Sequence, residues 1–227
     1  MQALPPSQQL AELLVRADSA LRAHVTVPAA LEQQRIVLRL SGDAGLSRTV
    51  IRLLPPRLAR DVTDDVLAHR ELARLTPPRL RSAFRVGPAA AAERLRDYYR
   101  EAERRSGVDW EVLAAVNYVE SDFGRLREAS VSGALGPMQF LPSTWAAYGR
   151  GDVHDPHAAI LGAARFLRAA GSARDERGAL HRYNPSWAYV DAVERYAGRI
   201  RRDPLAYRIY YARRLIVRTP TGLRRLN

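Results

Sequence analysis

The 227-residue sequence predicts an all-α, mainly helical protein. Apolar residues recur at three- and four-residue spacing over most of the chain, which is the period of an amphipathic helix. Glycines and prolines stand at the ends of these segments, as helix boundaries require. Hydrophobic residues make up 47% and charged residues 26% of the chain, and both values are typical of a globular protein.

The first third of the chain predicts a small array of amphipathic helices. Ser7 stands where the N-cap of the first helix would lie, and apolar residues follow it at helical spacing: Leu10, Leu13, Leu14, Ala17 and Leu21. Pro28 would open a second helix, which glycines interrupt after Leu40. Pro55 and Pro56 would precede a third.

A change of character between Thr76 and Pro88 suggests a domain boundary. This stretch holds three prolines and one glycine with little periodicity, which predicts an extended connection. We therefore expect a helical segment with its linker over residues 1–85, a main domain over 86–202 and a C-terminal extension over 203–227. The extension mixes aromatic and β-branched residues, which favours a helix end followed by a short strand.

The second part of the chain carries clear helix boundaries. The stretch AAAAERLRDYYREAERRSG predicts a helix ended by Gly107, and Asp109 introduces the next one at Trp110. Asp155 followed by Pro156 reads as an N-cap with proline at the first helical position. A further helix is predicted after Asn184.

Composition excludes several kinds of chemistry. The chain has no cysteine, so disulfides, thiolate metal sites and cysteine nucleophiles are absent. All 36 basic residues are arginine, so no Schiff-base or phosphate-loop lysine exists. No Gly-x-Ser-x-Gly elbow is present either, which argues against a serine hydrolase. We expect no cofactor.

The net charge of +12 could attract nucleic acid, an anionic membrane or an anionic polymer such as cell wall. The arginines are scattered along helices without interleaved aromatic residues, so nucleic-acid binding is not expected. The sequence as written shows no signal peptide and no stretch that could span a membrane. Asp152, His154, Asp155 and His157 are clustered, but their spacing matches no zinc or calcium pattern, and we expect no metal site.

Glu120 is the strongest catalytic candidate on pattern alone. It shares one face of a predicted helix with Leu113, Val116 and Asn117, so a carboxylate lies on an apolar stripe. It also lies near the C-terminal end of that helix, where the macrodipole and burial both raise the pKa of an acid. A glutamic acid kept protonated near neutral pH suits general acid catalysis. The alternative is a partly exposed glutamate at a fraying helix end.

The surrounding motifs favour the catalytic interpretation. From Glu120 the chain reads ESDFGRLREASVSGALGPMQFLPSTWAAYG, which resembles the glutamate, serine and glycine–methionine–glutamine signature of soluble-type lytic murein transglycosylases, relatives of goose-type lysozyme. The stretch GDVHDPHAAILGAARFLRAAG is similar to actinobacterial members. ALHRYNPSWAYVDAVERYA resembles the closing tyrosine–asparagine motif. The resemblance covers residues 92–200 and implies a lysozyme-like catalytic domain preceded by a small helical segment.

The resemblance also implies roles for individual residues. Glu120 would be the catalytic acid and then the base. The other implied residues would bind substrate: Ser130, Met138, Gln139, Tyr183 and Asn184. Ser130 would lie near the N-acetyl group of the substrate. Met138 and Gln139 would line the glycan groove. Tyr183 would donate a hydrogen bond to Glu120 from the far wall, beside Asn184.

Most glycosidases use two carboxylates, and no second one is evident in this sequence. Asp122 is predicted to point to a different face of the helix, and Glu128, Asp152 and Asp155 are predicted loop or cap residues. The family that the chain resembles uses one carboxylate, with the N-acetyl oxygen of the substrate assisting departure and its 6-hydroxyl attacking the anomeric carbon.

The sequence therefore predicts an enzyme that cleaves peptidoglycan glycan strands and leaves 1,6-anhydromuramic ends. A hydrolytic muramidase, an inactive peptidoglycan-binding module and an arginine-rich nucleic-acid binder remain alternatives. We expect a monomer that acts outside the cytoplasm or at the cell wall.

Overall fold

The computed structural model describes residues 5–75, 80 and 84–226, and it confirms the mainly helical fold. The helices in chain order are α1 (Pro6–Ala23), α2 (Val27–Gly42), α3 (Ala44–Arg52), α4 (Pro56–Leu75), α5 (Ala92–Ser106), α6 (Trp110–Ser121), α7 (Pro142–Tyr148), α8 (Pro156–Ala169), α9 (Glu176–Tyr183), α10 (Trp187–Arg202) and α11 (Leu205–Ala212). A short antiparallel hairpin follows, formed by β1 (Ile216–Thr219) and β2 (Gly222–Arg225).

The helix ends follow mostly from local sequence. Gly107 ends α5 in the left-handed region with φ 75°, which glycine adopts without a steric penalty. The Asp155 side chain caps α8 by accepting a hydrogen bond from the backbone N–H of Ala158, with Pro156 at the start of the helix. The predicted N-cap at Ser7 is wrong, because α1 already begins at Pro6. Proline fits the first helical position since it lacks the N–H that would go unpaired there.

The structure has two main apolar cores, one built by the first four helices and one by the later helices. The smaller one is made by α1 to α4, with Leu14, Leu40, Val50 and Val62 nearly inaccessible at its centre. The larger one surrounds α6, whose residues from Val112 to Val116 are all buried between α5, α8 and α10. A helix buried on nearly all sides must be apolar all round, which explains why α6 reads as WEVLAAVNYVES.

The N-terminal helices and the main helical body are in extensive contact. Helix α4 packs along α10, and α11 packs on α2. Leu21, Ala30 and Ile209 form a third apolar cluster that joins the two ends of the chain. Residues 76–79 and 81–83 of the predicted connection lie outside the described residues, so the division at residues 85 and 202 stays a prediction.

A buried ionic network joins α4, α10 and the segment after α11. The Asp65 carboxylate accepts hydrogen bonds from Arg199 and Arg213, both at 2.5 Å, and from the Tyr210 hydroxyl at 2.7 Å. Arg213 also donates to Gln33 of α2 at 3.0 Å. Burial alone would raise the pKa of Asp65, but the two guanidinium groups outweigh it and lower that pKa to about 2.

None of the helices that the structure describes combines the length and the apolar character needed to cross a bilayer.

Candidate active site

Glu120 lies at the last turn of α6 and is partly exposed. The surrounding protein is dense enough that burial raises the pKa of this carboxyl to about 7. The Tyr189 hydroxyl faces the carboxylate and opposes this increase, although the two groups fall short of regular hydrogen-bond geometry. A carboxyl that is reachable from solvent and protonated near neutral pH can donate a proton to a bound ligand.

The end of α6 has an unusual backbone. Asp122, Phe123 and Gly124 follow one another with φ values of 51°, 61° and 83°. Positive φ is uncommon for non-glycine residues and a real outlier for a bulky one such as phenylalanine. Phe123 is held by its burial against Tyr118, with ring centroids 5.3 Å apart. Such strain persists only where surrounding contacts fix it, and it is commonest at functional sites.

A buried hydrogen-bond group ties the end of α6 to the turn over residues 135–140. The Pro137 carbonyl accepts from the Asn117 side chain at 2.7 Å and from the Ser121 hydroxyl at 2.5 Å. The Ser121 oxygen accepts in turn from the Gly124 N–H at 2.8 Å, and Tyr99 donates to Asn117 at 2.6 Å. These bonds fix the backbone on both sides of Glu120.

The turn itself is a tight hairpin. Leu135 and Phe140 pair in antiparallel fashion, with both of their backbone hydrogen bonds at 2.8 Å. Gly136 must be glycine, because a Cβ there would lie 2.0 Å from the Val153 carbonyl oxygen. Gln139 adopts φ 50° and its side chain donates to the Gly136 carbonyl at 3.0 Å. Gln139 is partly exposed.

Met138 and Tyr183 are in direct contact. Met138 is fully buried in the large core, and its carbonyl accepts a hydrogen bond of 2.6 Å from the Tyr183 hydroxyl. The expectation that Tyr183 donates to Glu120 is therefore wrong, because the single hydroxyl proton is given to Met138. Tyr183 still lies close enough for the Glu120 charge to contribute to the raised pKa of the tyrosine, after burial as the main cause.

Ser130 and Asn184 make their described hydrogen bonds within their own turns. The Ser130 hydroxyl oxygen accepts from the Ala134 N–H at 3.0 Å. Asn184 follows the end of α9, and its carbonyl accepts from the Ser186 N–H at 2.7 Å. The structure thus brings Glu120, Met138 and Tyr183 together. The roles of Ser130, Gln139 and Asn184 toward a substrate stay predictions.

The sequence did not assign two further residues to the surroundings of Glu120. Tyr189 reaches the carboxylate from α10, a helix that only tertiary packing brings there. Asp122 is not on the helix at all but buried just past its end, where it pairs with Arg125 at 3.2 Å. Burial raises the pKa of Asp122 to about 6, against the lowering effect of Arg125. Its positive φ was the detail that helical periodicity could not reveal.

A cavity of about 250 Å³ adjoins both carboxyl groups. Its lining includes Glu120, Asp122, Phe84, Arg213 and the hairpin residue Val217. The second oxygen of Asp122 has no hydrogen-bond partner among the described residues. An unpaired buried oxygen beside a cavity can accept a hydrogen bond from a water or ligand.

The clustered aspartates and histidines at residues 152–157 have partners within the protein. His157 contacts Glu101 at 2.9 Å, and Asp152 accepts from the His154 N–H at 2.9 Å. Within the described ranges, no group of three or more histidine or acidic side chains is arranged to hold a metal ion.

The part of the chain that holds these residues is similar to a known family. Residues 97–200 match the transglycosylase SLT domain. The predicted resemblance to lytic transglycosylases is thereby confirmed. The SLT domain is lysozyme-like, and it contains α6, the 135–140 turn, α9 and most of α10.

Two curated relatives are similar to part of the chain. The chain is 40% identical over 73 residues to the membrane-bound lytic murein transglycosylase F of Thiobacillus denitrificans, which is 32% of this chain and 15% of the relative. It is 34% identical over 85 residues to the membrane-bound lytic murein transglycosylase F 1 of Alkalilimnicola ehrlichii, which is 37% of this chain and 17% of the relative. The match therefore spans about a sixth of each relative. No solved structure shows a significant match.

Proposed function

We propose that this protein cleaves the β-1,4 bond between N-acetylmuramic acid and N-acetylglucosamine in peptidoglycan and leaves 1,6-anhydromuramic ends. One observation carries the proposal. Glu120, which lies within the stretch that matches the SLT domain, is reachable from solvent while burial raises its pKa to about 7. It can therefore act as an acid in one step and as a base in the next, at the pH of ordinary growth.

The first step breaks the glycosidic bond. Glu120 donates its proton to the bridging oxygen as the bond from that oxygen to the muramic anomeric carbon breaks. The N-acetyl carbonyl oxygen of the same muramic residue attacks that carbon and forms a cyclic intermediate. The hydroxyl hydrogen of Ser130 has no acceptor among the described residues, and we propose that it donates to the N-acetyl group and helps orient it.

The second step closes the anhydro ring. The Glu120 carboxylate takes the proton of the muramic 6-hydroxyl, the oxygen attacks the anomeric carbon, and the N-acetyl oxygen leaves. Glu120 is protonated again and no water is consumed. A tethered hydroxyl competes well with water because its effective concentration is very high.

The hydrolytic alternative has one observation in its favour. Asp122 is a second carboxyl group on the same cavity, and its unpaired oxygen could hold a water. Hydrolases that act through two carboxylates need such a group. The ion pair with Arg125 gives Asp122 a structural role as well, so the reaction product decides between the two reactions.

The test combines one substitution with product analysis. We expect Glu120→Gln to lower the release of muropeptides from purified sacculi by more than about a thousandfold, because the amide can neither donate the proton nor take it back. Glu111→Gln is the matched control, since Glu111 lies on the same helix and burial also raises its pKa. That control should retain activity.

Mass spectrometry of the wild-type products completes the test. Anhydromuramic ends are lighter by one water than reducing ends. Reducing muramic ends, abolished by Asp122→Asn, would establish the hydrolase instead. An active Glu120→Gln protein would contradict both mechanisms. A wild-type protein that binds sacculi but does not cleave them would indicate an inactive peptidoglycan-binding module.

We further propose that the protein works as a monomer outside the cytoplasm, at the cell wall. Its formal charge of +12 supports attraction to anionic wall polymers.

A further inference from the structure

The large apolar side chains exposed within residues 97–200 lie close in sequence to the predicted substrate-binding residues. Across residues 97–200, all of which are described, the exposed large hydrophobic residues are Val131, Leu141 and Trp187. Val131 follows Ser130 directly, Leu141 lies two residues after Gln139, and Trp187 lies three residues after Asn184. Each therefore stands within three residues of a side chain predicted to contact the glycan.

Trp187 is the largest of the three and is held firmly. Its residue is 54% exposed, yet its ring stacks on His181 with centroids 4.3 Å apart. The Arg177 guanidinium lies 5.5 Å from the ring centroid, and Arg177 is itself bonded to Asp191 and Glu194 of α10. A tryptophan held by a stacked ring and a cation has little freedom to change rotamer.

A large part of Trp187 remains exposed to solvent. His181 and Arg177, which contact the indole, both lie on α9 and are four residues apart on one face of that helix. Despite these contacts the residue is more than half accessible. Trp187 therefore presents flat apolar surface to solvent three residues after Asn184.

We infer that the exposed indole of Trp187 is a stacking platform for a pyranose ring of the glycan strand, with the exposed side chains of Val131 and Leu141 as smaller apolar contacts. This inference rests on the proposed function for the identity of the strand. A β-1,4-linked pyranose has its ring hydroxyls and substituents near its equator and presents C–H groups on its faces. Such a face packs well on an indole, while the substituents at the equator stay free for polar contacts.

A protein partner fits the surface less well. The three side chains are separated in sequence by polar residues and belong to three different turns or helix starts. Protein interfaces need a contiguous buried patch of about 800 Å² on each partner. A repeating polymer of rings needs only an apolar contact at intervals.

The experiment measures binding of the β-1,4-linked N-acetylglucosamine hexasaccharide by titration calorimetry, in the Glu120→Gln background so that no turnover occurs. We expect Trp187→Ala to weaken binding about three- to tenfold, which corresponds to a typical aromatic stacking contribution. Trp187→Phe, which retains a smaller ring, should lose less. Leu53→Ala removes a 49% exposed apolar residue from the N-terminal helices and should bind like its parent.

Fluorescence gives an independent readout. Trp110 is buried and Trp145 half-buried, so Trp187 should provide most of any emission change on hexasaccharide binding, and Trp187→Phe should remove it. Since Trp187 lies on the surface, its substitution should leave the melting curve unchanged.

The outcomes separate this inference from the proposed reaction. Equal hexasaccharide affinity for Trp187→Ala and its parent would overturn the platform even if wild-type protein cleaves sacculi. No measurable binding by the parent would overturn it as well. Binding that depends on Trp187, together with a wild type that releases no muropeptides, would support the platform and refute the reaction.

Discussion

The pKa of Glu120 is set by two opposing influences at the level of single residues. Burial by the protein around α6 raises it, and the Tyr189 hydroxyl lowers it, with a result of about 7. A much higher pKa would make Glu120 a weaker proton donor in the first step, and a much lower pKa would leave too little of the protonated acid and make its carboxylate a weaker base in the second step. The position of one hydroxyl group on α10 therefore bears on both steps.

We predict that Tyr189→Phe raises the pKa of Glu120 and moves the alkaline limb of the activity profile to higher pH. The expected shift is roughly half to one pH unit, because a hydrogen bond to a charged group contributes about 1.5–3 kcal/mol at full strength and one pKa unit corresponds to about 1.4 kcal/mol. The measurement is turnover of soluble glycan fragments between pH 5 and 9.

Tyr183→Phe is the comparison for this profile. Its hydroxyl donates to Met138 rather than to Glu120, so its loss should lower the rate without moving the alkaline limb. An unshifted limb in Tyr189→Phe would show that Tyr189 does not tune the acid.

The raised pKa of Glu120 could be predicted from the sequence, whereas its catalytic role stays a prediction and the contacts around it were predicted less well. The three- and four-residue spacing was enough to place this carboxyl among apolar neighbours on α6. The hydrogen bond of Tyr183 to Met138 and the position of Tyr189 next to Glu120 depend on how α9 and α10 pack. No local sequence pattern encodes this packing. Met138 was expected to line the groove, and its side chain is buried in the core instead, where the flexible thioether fills space.

At the scale of elements, the site depends on two segments with left-handed backbone. The end of α6 and the 135–140 turn are both strained, and they hold each other through the Pro137 carbonyl. Helix ends at Gly107 and Asp155 could be predicted because their signals are local. The left-handed conformation of Asp122 and Phe123 could not, because neither residue type demands it and only the contacts of Ser121 and the burial of Phe123 enforce it.

We predict that Gly136→Ala greatly impairs activity and destabilises the protein by about 2–4 kcal/mol, since it adds a collision with the Val153 carbonyl to the cost of a positive φ. Gly107→Ala is a close control. Its φ of 75° is nearly the same as the 74° of Gly136, but nothing lies within 4 Å of the added Cβ.

Gly107→Ala should therefore lower the free energy of unfolding by about 1 kcal/mol, and the variant should retain full activity. Urea denaturation and sacculus digestion measure the two effects. Equal losses of unfolding free energy for the two substitutions would mean that the 135–140 turn can move away from Val153 and that its conformation is not fixed.

At the scale of the whole molecule, the Asp65 network joins the N-terminal helices, α10 and the segment after α11. The sequence pattern could not predict it, because an aspartate on a helix facing α10 looks like any surface acid until the fold is known. Its pairing has a definite pH dependence. The lowered pKa means that the pairing contributes stability above about pH 4, and that this contribution is lost as the pH falls towards 2.

We predict that Asp65→Asn destabilises the protein by about 3–5 kcal/mol, because it removes the nearest counter-charge from two buried guanidinium groups. Asp64→Asn should cost less than about 1 kcal/mol, although Asp64 also pairs with two arginines, Arg195 and Arg202. Asp64 lies nearer the surface, where water screens these pairs.

Chemical denaturation at pH 7 compares the two variants. Similar stability losses for Asp64→Asn and Asp65→Asn would refute the special role of the buried network.

The partners of Asp65 also have a bearing on the order in which the chain folds. Arg199 and Arg213 lie 134 and 148 residues further along the sequence. Contacts of such long separation form late, because much chain entropy must be lost before they are made. During synthesis, the N-terminal helices can assemble their own local core early, but Asp65 gains its counter-charges only after α10 and the segment beyond α11 have emerged. Helices α1 to α4 are thus made before α10 but reach their final stability only after it.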